Sequence, residues 1–343
     1  MKLACTYITR RCPRNCSYCD ASKVRKEEEL DWLDWVRVNG ILRELGVSFN
    51  LILGNESWLL GKKLKRIMEV NTVPYALYTT APPELFITYR DLYFRSGAID
   101  NLSCGLDHSL SHLEKNHSSD IEKKSINAWQ AFEYVKEVYP HIDCQGTVTI
   151  NKHNFKQLPE IVEDLSKMKV FIGVNMIHYN KDGKFDFFPN AFDLMQEGFL
   201  FNKNDSNDLR EVFHKCYTNP DALIQNKEML NPLLVDKMID TNWHCRGNPY
   251  NGPTIDSDGS LRCCGYRKGE RASQYHIFEM PKKFQFYLKA VEADALECPG
   301  CFWSYPWMAA YWKTRNIKFG KKVFVQHARP ELSEDKWSKR KIE

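Results

Sequence analysis

The sequence has no long apolar run, no secretory signal, no internal repeat and little net charge, and each absence narrows what the chain can be. A membrane-spanning helix needs about 18 or more consecutive apolar residues, and no such stretch is present. The opening MKLACTYITRR lacks the apolar core of a signal peptide, so a cytoplasmic location is expected. A formal charge of +4 over 343 residues is too small for a surface that coats nucleic acid, although it permits a local basic patch. With no low-complexity tract either, the chain reads as an ordinary folded protein. Its 43% hydrophobic content suffices for one large core with a smaller appendage.

Cysteine, by contrast, is abundant, with twelve in the chain. In a small secreted domain these would form a disulfide framework, but this chain is large and carries no secretory signal. Clustered cysteines in a reducing compartment are better explained as ligands of a metal or cluster. They fall into two groups, Cys12, Cys16 and Cys19, then Cys245, Cys263, Cys264, Cys298 and Cys301. Cys5, Cys104, Cys144 and Cys216 stand alone and read as small buried hydrophobes.

Short β-rich runs at 3–9, 48–53, 75–80, 101–106, 144–150 and 170–178 alternate with amphipathic segments at 28–45, 61–69, 121–138 and 157–168. That alternation predicts parallel strands joined by crossover helices. Six such units make an α/β fold, a partial (β/α)6 TIM-like barrel, rather than a closed eightfold one. Asn154 is a candidate cap for the helix at 157–168, with Pro159 in its first turn. The alternation stops near Tyr179. Residues 180–210 read as a long loop or insertion, and 220–239 as a helix interrupted at Asn231-Pro232. Residues 253–264 predict a hairpin turning at Ser257-Asp258-Gly259. The expected divisions are a barrel core over 1–180, a linker with helices over 181–240, a small cysteine-rich domain over 241–330 and a charged tail over 331–343.

Cys12-Pro-Arg-Asn-Cys16-Ser-Tyr-Cys19 follows directly on the first strand. Three thiolates within eight residues can surround one iron–sulfur cube only from a loop, and Pro13 and Asn15 suit a loop. A cube has four irons, so three cysteines leave one iron open to another ligand. A zinc site would normally need a fourth protein ligand and paired CxxC spacing, for which Asp20 is the nearby candidate.

This CxxxCxxC, with Tyr18 just before its third cysteine, resembles the signature loop of the radical S-adenosylmethionine enzymes. The resemblance implies that the open iron chelates the methionine moiety of S-adenosylmethionine. An electron then splits the carbon–sulfur bond to give a 5′-deoxyadenosyl radical, the cofactor supplying the chemistry and the protein its placement. The family usually carries Gly-Gly-Glu after the second strand; here Gly54-Asn55-Glu56 stands in that place, so the middle glycine is replaced and Glu56 retained. Glu56 is otherwise readable as an acid favoured at a helix N-terminus. By the same resemblance, Ser103 and Asp107 on the fourth strand face the ribose and Asn151 after the fifth reaches the cofactor. The fifth strand also offers Thr147 and Thr149, and the sixth Asn175 and His178. The resemblance covers about residues 1–180.

In the second group, a hairpin bearing a thiolate and the Cys298-Pro-Gly-Cys301 turn can gather four sulfurs around a metal. A four-cysteine zinc site and an iron–sulfur cluster both satisfy that donor set. The spacing Cys245-x13-Gly259-x4-Cys264 resembles the start of the SPASM motif of auxiliary-cluster radical enzymes. No cysteine follows Cys301, which matches the shortened form called a Twitch domain, holding one further 4Fe-4S cluster. Cys245, Cys264, Cys298 and Cys301 are the expected ligands and Cys263 is the spare, since adjacent strand residues point to opposite faces. With four protein ligands that cluster is closed and serves electron transfer.

The aromatic run 302–307 with Tyr311 and Trp312 reads as a packing layer, or else a pocket wall; Lys313, Arg315, Lys318, Lys321 and Lys322 read as a solvated basic face. The function expected is hydrogen abstraction from a small amino-acid-like or sugar-like substrate, with an external electron donor such as flavodoxin or ferredoxin. Modification or rearrangement of a nucleotide or nucleic acid is the alternative within the family, and an iron–sulfur electron carrier or metal-stabilised binding module the alternative outside it. Only eleven residues precede Cys12, so no leader-binding domain is expected there and a ribosomal peptide is the less expected substrate.

Overall fold

The computed structural model describes residues 2–23, 28–185, 188–225, 227–240, 243–245 and 251–301. In chain order they form β1 (Leu3–Tyr7), α1 (Trp32–Glu44), β2 (Phe49–Leu53), α2 (Lys62–Glu69), β3 (Tyr75–Thr79), α3 (Pro83–Phe94), β4 (Asn101–Gly105), α4 (Leu110–Leu113) and α5 (Asp120–Val138). There follow β5 (Asp143–Ile150), α6 (Leu158–Lys167), β6 (Phe171–Met176), α7 (Ala191–Gln196), α8 (Ser206–Thr218), α9 (Val235–Ile239), β7 (Thr254–Ile255), β8 (Leu261–Arg262) and α10 (Phe284–Leu296).

Strands β1 to β6 are parallel and lie side by side in chain order. That is the partial (β/α)6 barrel the alternation predicts. β1 and β6 are buried at every residue and β2 and β4 at their three central ones, as parallel strands covered by helices are. Ser119 and Glu122 form a capping box that starts α5, and Pro159 sits in the first turn of α6. Cys104, Cys144 and Cys216 lie in the main apolar core, and Cys5 in a smaller one.

Gly61 shows why the turn into α2 needs glycine: its φ is +52°, and a Cβ there would stand 2.6 Å from the Tyr89 hydroxyl. The turn lets Trp58 sink into the core, stacked on Phe86 at 5.5 Å and edge-on to Tyr93 at 5.0 Å.

Three sequence expectations are corrected. Residues 180–210 are not one long loop, because α7 and the start of α8 fall inside them. The 220–239 helix is two short 3-10 turns and the five-residue α9. Asn154 is no helix cap: its amide donates to the Asp107 and Thr149 carbonyls and its oxygen accepts from the Asn151 N–H.

The hairpin also joins the barrel. β7 pairs parallel with β1, and β8 antiparallel with β7, so the sheet runs β6-β5-β4-β3-β2-β1-β7-β8. At the other edge, Ile172 of β6 bridges Ile224, with hydrogen bonds to Leu223 and Gln225. Among the described residues no helix is long and apolar enough to cross a membrane.

Candidate functional site at the strand ends

The C-terminal ends of parallel barrel strands carry the functional loops of such folds. Here a cavity of about 230 Å³ opens among them. Tyr7 of β1, Gly54 and Asn55 after β2, Tyr78 of β3, Thr147 and Thr149 of β5, and Asn175 and His178 at the end of β6 contribute to its wall. Tyr18 and Cys19 enter from the cysteine loop, and Phe188 and Tyr266 from beyond the barrel, their rings stacked at 5.6 Å. The Tyr7 hydroxyl donates to the Gly265 carbonyl, which pins the segment after β8 to β1.

The cysteine loop lies at this opening. Its backbone turns through a hydrogen bond from the Cys19 N–H to the Cys16 carbonyl at 3.0 Å. Asn55, standing where the family pattern has glycine, clamps both flanks of the loop. Its side-chain amide donates to the Arg10 carbonyl on one side and to the Ala21 carbonyl on the other, the latter at 3.1 Å. Gly54 leaves no room for a side chain, since a Cβ would stand 2.5 Å from the Ser57 hydroxyl.

Burial pushes the Cys12 thiol up to about 11 and the Cys19 thiol up to about 12. Such thiols are neutral at pH 7 without a cation to bind them. Among the described residues no three His, Cys, Asp or Glu side chains already stand in a metal-holding arrangement. The donor set nevertheless suits a soft metal group. It is all sulfur, and the three thiols stand close enough that ionising Cys12 or Cys16 would raise Cys19 further. Arg14, whose charge favours the thiolates of Cys12 and Cys16, has its Nε and one Nη buried without an acceptor among the described residues. An anionic cluster at these sulfurs would satisfy both needs.

Glu56 is fully buried, and its carboxylate is occupied. It accepts from the Trp58 N–H at 3.1 Å, the Thr79 hydroxyl at 2.6 Å, and the Thr80 N–H and hydroxyl, both at 2.6 Å. Burial raises its pKa against those bonds. It caps the turn after Gly54-Asn55 and ties the end of β3 to it, outside the cavity wall. Ser103 is buried in β4 and does not line the cavity. Asn151 does not line it either; its side chain accepts from the His153 N–H at 2.9 Å and donates to the Thr149 carbonyl.

Asp107 is held from several sides. One oxygen accepts from the Thr149 N–H at 2.9 Å; the other meets the Tyr18 hydroxyl and the Lys124 ammonium, which also contacts that hydroxyl. Sequence reasoning missed Lys124. Its signal was a lysine on the inward stripe of an amphipathic helix, between Ile121 and Ala128.

In the second group, Cys264 and Cys298 pack against the same apolar layer as Cys12 and Cys19, built on Tyr7, Phe185, Phe188 and Tyr266. The Cys298 thiolate acts on Cys264, and the thiolates of Cys298 and Cys301 both act on Lys181. The Cys301 N–H reaches the Trp243 carbonyl at 3.0 Å, which brings that turn to the segment carrying Cys245. The Cys263 thiol meets the Val291 carbonyl of α10, while Cys245, Cys264 and Cys298 all lie near enough to act on it. The aromatic run 302–312, the basic residues from Lys313 to Lys322 and the tail lie outside the described residues.

No protein-family model matches the sequence, and no curated protein sequence matches it. Solved structures do share the fold. Streptococcus suis SuiB bound to S-adenosylmethionine superposes with a TM-score of 0.59 at 17% identity, over 85% of this chain and 66% of SuiB. SuiB bound to the precursor peptide SuiA gives 0.52 at 17%, over 76% of this chain and 58% of SuiB. SuiB without either gives 0.55 at 16%, over 83% and 65%. The chain thus spans between 58% and 66% of SuiB's length. The chain therefore shares the fold of SuiB, a protein whose solved structures include one with S-adenosylmethionine bound.

Proposed function

We propose that this protein is a radical S-adenosylmethionine enzyme that generates a 5′-deoxyadenosyl radical and abstracts hydrogen from a small amino-acid-like or sugar-like substrate. The observation that carries the reading is the three-cysteine loop set at the C-terminal strand ends, opening onto a cavity of about 230 Å³. In this reading Cys12, Cys16 and Cys19 hold a 4Fe-4S cluster, which supplies the electron that splits the carbon–sulfur bond. The chain's own work is placement. Asn55 fixes both flanks of the loop, Glu56 holds the turn beside it, and Thr147, Thr149, Asn175 and His178 line the cavity.

Cys245, Cys264, Cys298 and Cys301 hold the auxiliary cluster in this proposal. The packing of Cys264 and Cys298 on the apolar layer shared with Cys12 and Cys19 supports an electron-transfer role. A flavodoxin or ferredoxin is the proposed electron donor and the cytoplasm the proposed compartment. The small cavity favours a small substrate over a nucleic acid.

Protein reconstituted anaerobically with iron and sulfide, reduced and given S-adenosylmethionine should release 5′-deoxyadenosine. Cys16→Ala should abolish that product and keep iron at the second site. Reducible iron–sulfur signals without 5′-deoxyadenosine, with or without candidate substrates, would instead identify an electron carrier.

A further inference from the structure

Tyr18 sits between two cysteines of the loop, yet its hydroxyl is bonded to side chains from the barrel wall. Its partners are Asp107, just beyond β4, and Lys124 of α5. Lys124 and Asp107 form an ion pair whose side chains are 8% and 0% exposed. Such a pair is costly to bury, so it persists where surrounding groups satisfy both partners. Here they do: the Thr149 N–H serves the other Asp107 oxygen, and the Ser125 hydroxyl accepts from the Asp107 N–H. Gly105 makes room, because a Cβ there would stand 3.3 to 3.4 Å from the end of the Lys124 side chain. The Tyr18 ring also meets Phe199 edge-on at 5.9 Å.

The pair's two charges both meet the Tyr18 hydroxyl, and the Lys124 ammonium stands 5.1 Å from the centroid of the Tyr18 ring, so the pair lies directly against the cysteine loop.

We propose that Lys124, Asp107 and Tyr18 form a positioning latch that holds the cysteine loop against β4 and α5 and sets a buried pair of charges beside Tyr18, between Cys16 and Cys19. The inference rests on the iron–sulfur site proposed above. A cluster on three thiolates gains a negative charge on reduction, and a nearby cation stabilises that state and raises the midpoint potential. Removing the cation while Asp107 stays ionised lowers the potential. Removing the carboxylate leaves the cation unopposed and raises it.

The test is the midpoint potential of the reconstituted site cluster, read by electron paramagnetic resonance during titration with dithionite and redox mediators. The double variant Cys298→Ala/Cys301→Ala, which leaves too few sulfurs at the second group, serves as background, to separate the two signals. Lys124→Met, or Lys124→Gln if the first does not fold, should shift the midpoint to more negative values. Asp107→Asn, which keeps the shape, should shift it to more positive ones. A merely structural role would not give shifts of opposite sign; equal potentials, or shifts of one sign, overturn the inference while leaving the site reading intact. Tyr18→Phe keeps both charges and removes the tether, so iron should be lost to a chelator severalfold faster. Loss at the parent rate overturns the positioning role. If the parent protein binds no cluster at the loop, the functional reading falls first and the latch falls with it.

Discussion

Asn55 departs from the family's Gly-Gly-Glu pattern, and its surroundings explain the departure. A glycine could not bind the Arg10 and Ala21 carbonyls that flank the cysteine loop, whereas the Asn55 amide binds both. Two such bonds are worth about 1–3 kcal/mol together in net terms. Asn55→Gly should therefore leave the fold intact, with unchanged far-ultraviolet circular dichroism, and should weaken iron retention about tenfold in a chelator competition. Retention equal to the parent's would mean that the loop is held elsewhere. Glu56 teaches a related lesson. Its carboxylate is committed to the Trp58, Thr79 and Thr80 donors, a structural task that retention of the acid in sequence does not reveal.

At the scale of elements, α4, α5 and α6 are joined by a polar cluster beside the strand ends. The rings of His108 and His112 stack at 4.3 Å. Gln157 bridges them, facing His108 Nδ1 and His112 Nδ1 each at 3.3 Å, and Glu122 faces His112 from α5 at 3.4 Å. Burial lowers the His108 pKa, outweighing the nearby Asp107 carboxylate, and the His112 charge lowers it further. The sign follows directly. The folded protein excludes a proton that the unfolded chain binds below about pH 6.5, so folding stability should fall as pH drops from about 7.5 to 5.5. Thermal unfolding at the two pH values measures the loss. His108→Phe should reduce it, and an unchanged slope in that variant would assign the pH dependence to other groups.

For the whole molecule, the decisive contact is between the barrel and the hairpin. Asp256, beside the hairpin turn, accepts from Arg10 Nε at 2.7 Å and Arg262 Nη1 at 2.9 Å, with all three side chains 0–1% exposed. Arg10 lies two residues before Cys12 and Arg262 two before Cys264, so one carboxylate braces both cysteine groups. Breaking a buried pair of this kind costs about 3–5 kcal/mol. Asp256→Ala should lower the unfolding midpoint of the metal-free protein by several degrees, and after reconstitution it should reduce iron at both sites. Loss at one site alone would show that the groups are braced independently.

Much of this was legible from the sequence. Alternating β-rich and amphipathic segments fix the order of β1 to β6 and most of their helices, because apolar periodicity is a local property. Spacing and loop composition likewise single out Cys12, Cys16 and Cys19 as candidate ligands, since three thiols within eight residues need no long-range information to lie together. The Asn55 clamp, the Tyr18–Asp107–Lys124 latch and the Asp256 brace were not legible. Their partners lie up to 106 residues apart in the latch and 246 in the brace. Such pairs meet only through the parallel register of β1 with β2 and β7 and of β4 with β5. The sequence by itself determined which chemistry the cysteine loop can support. The tertiary structure decided what holds that loop and which charges face it, because strand register and helix packing, not spacing along the chain, bring those groups together.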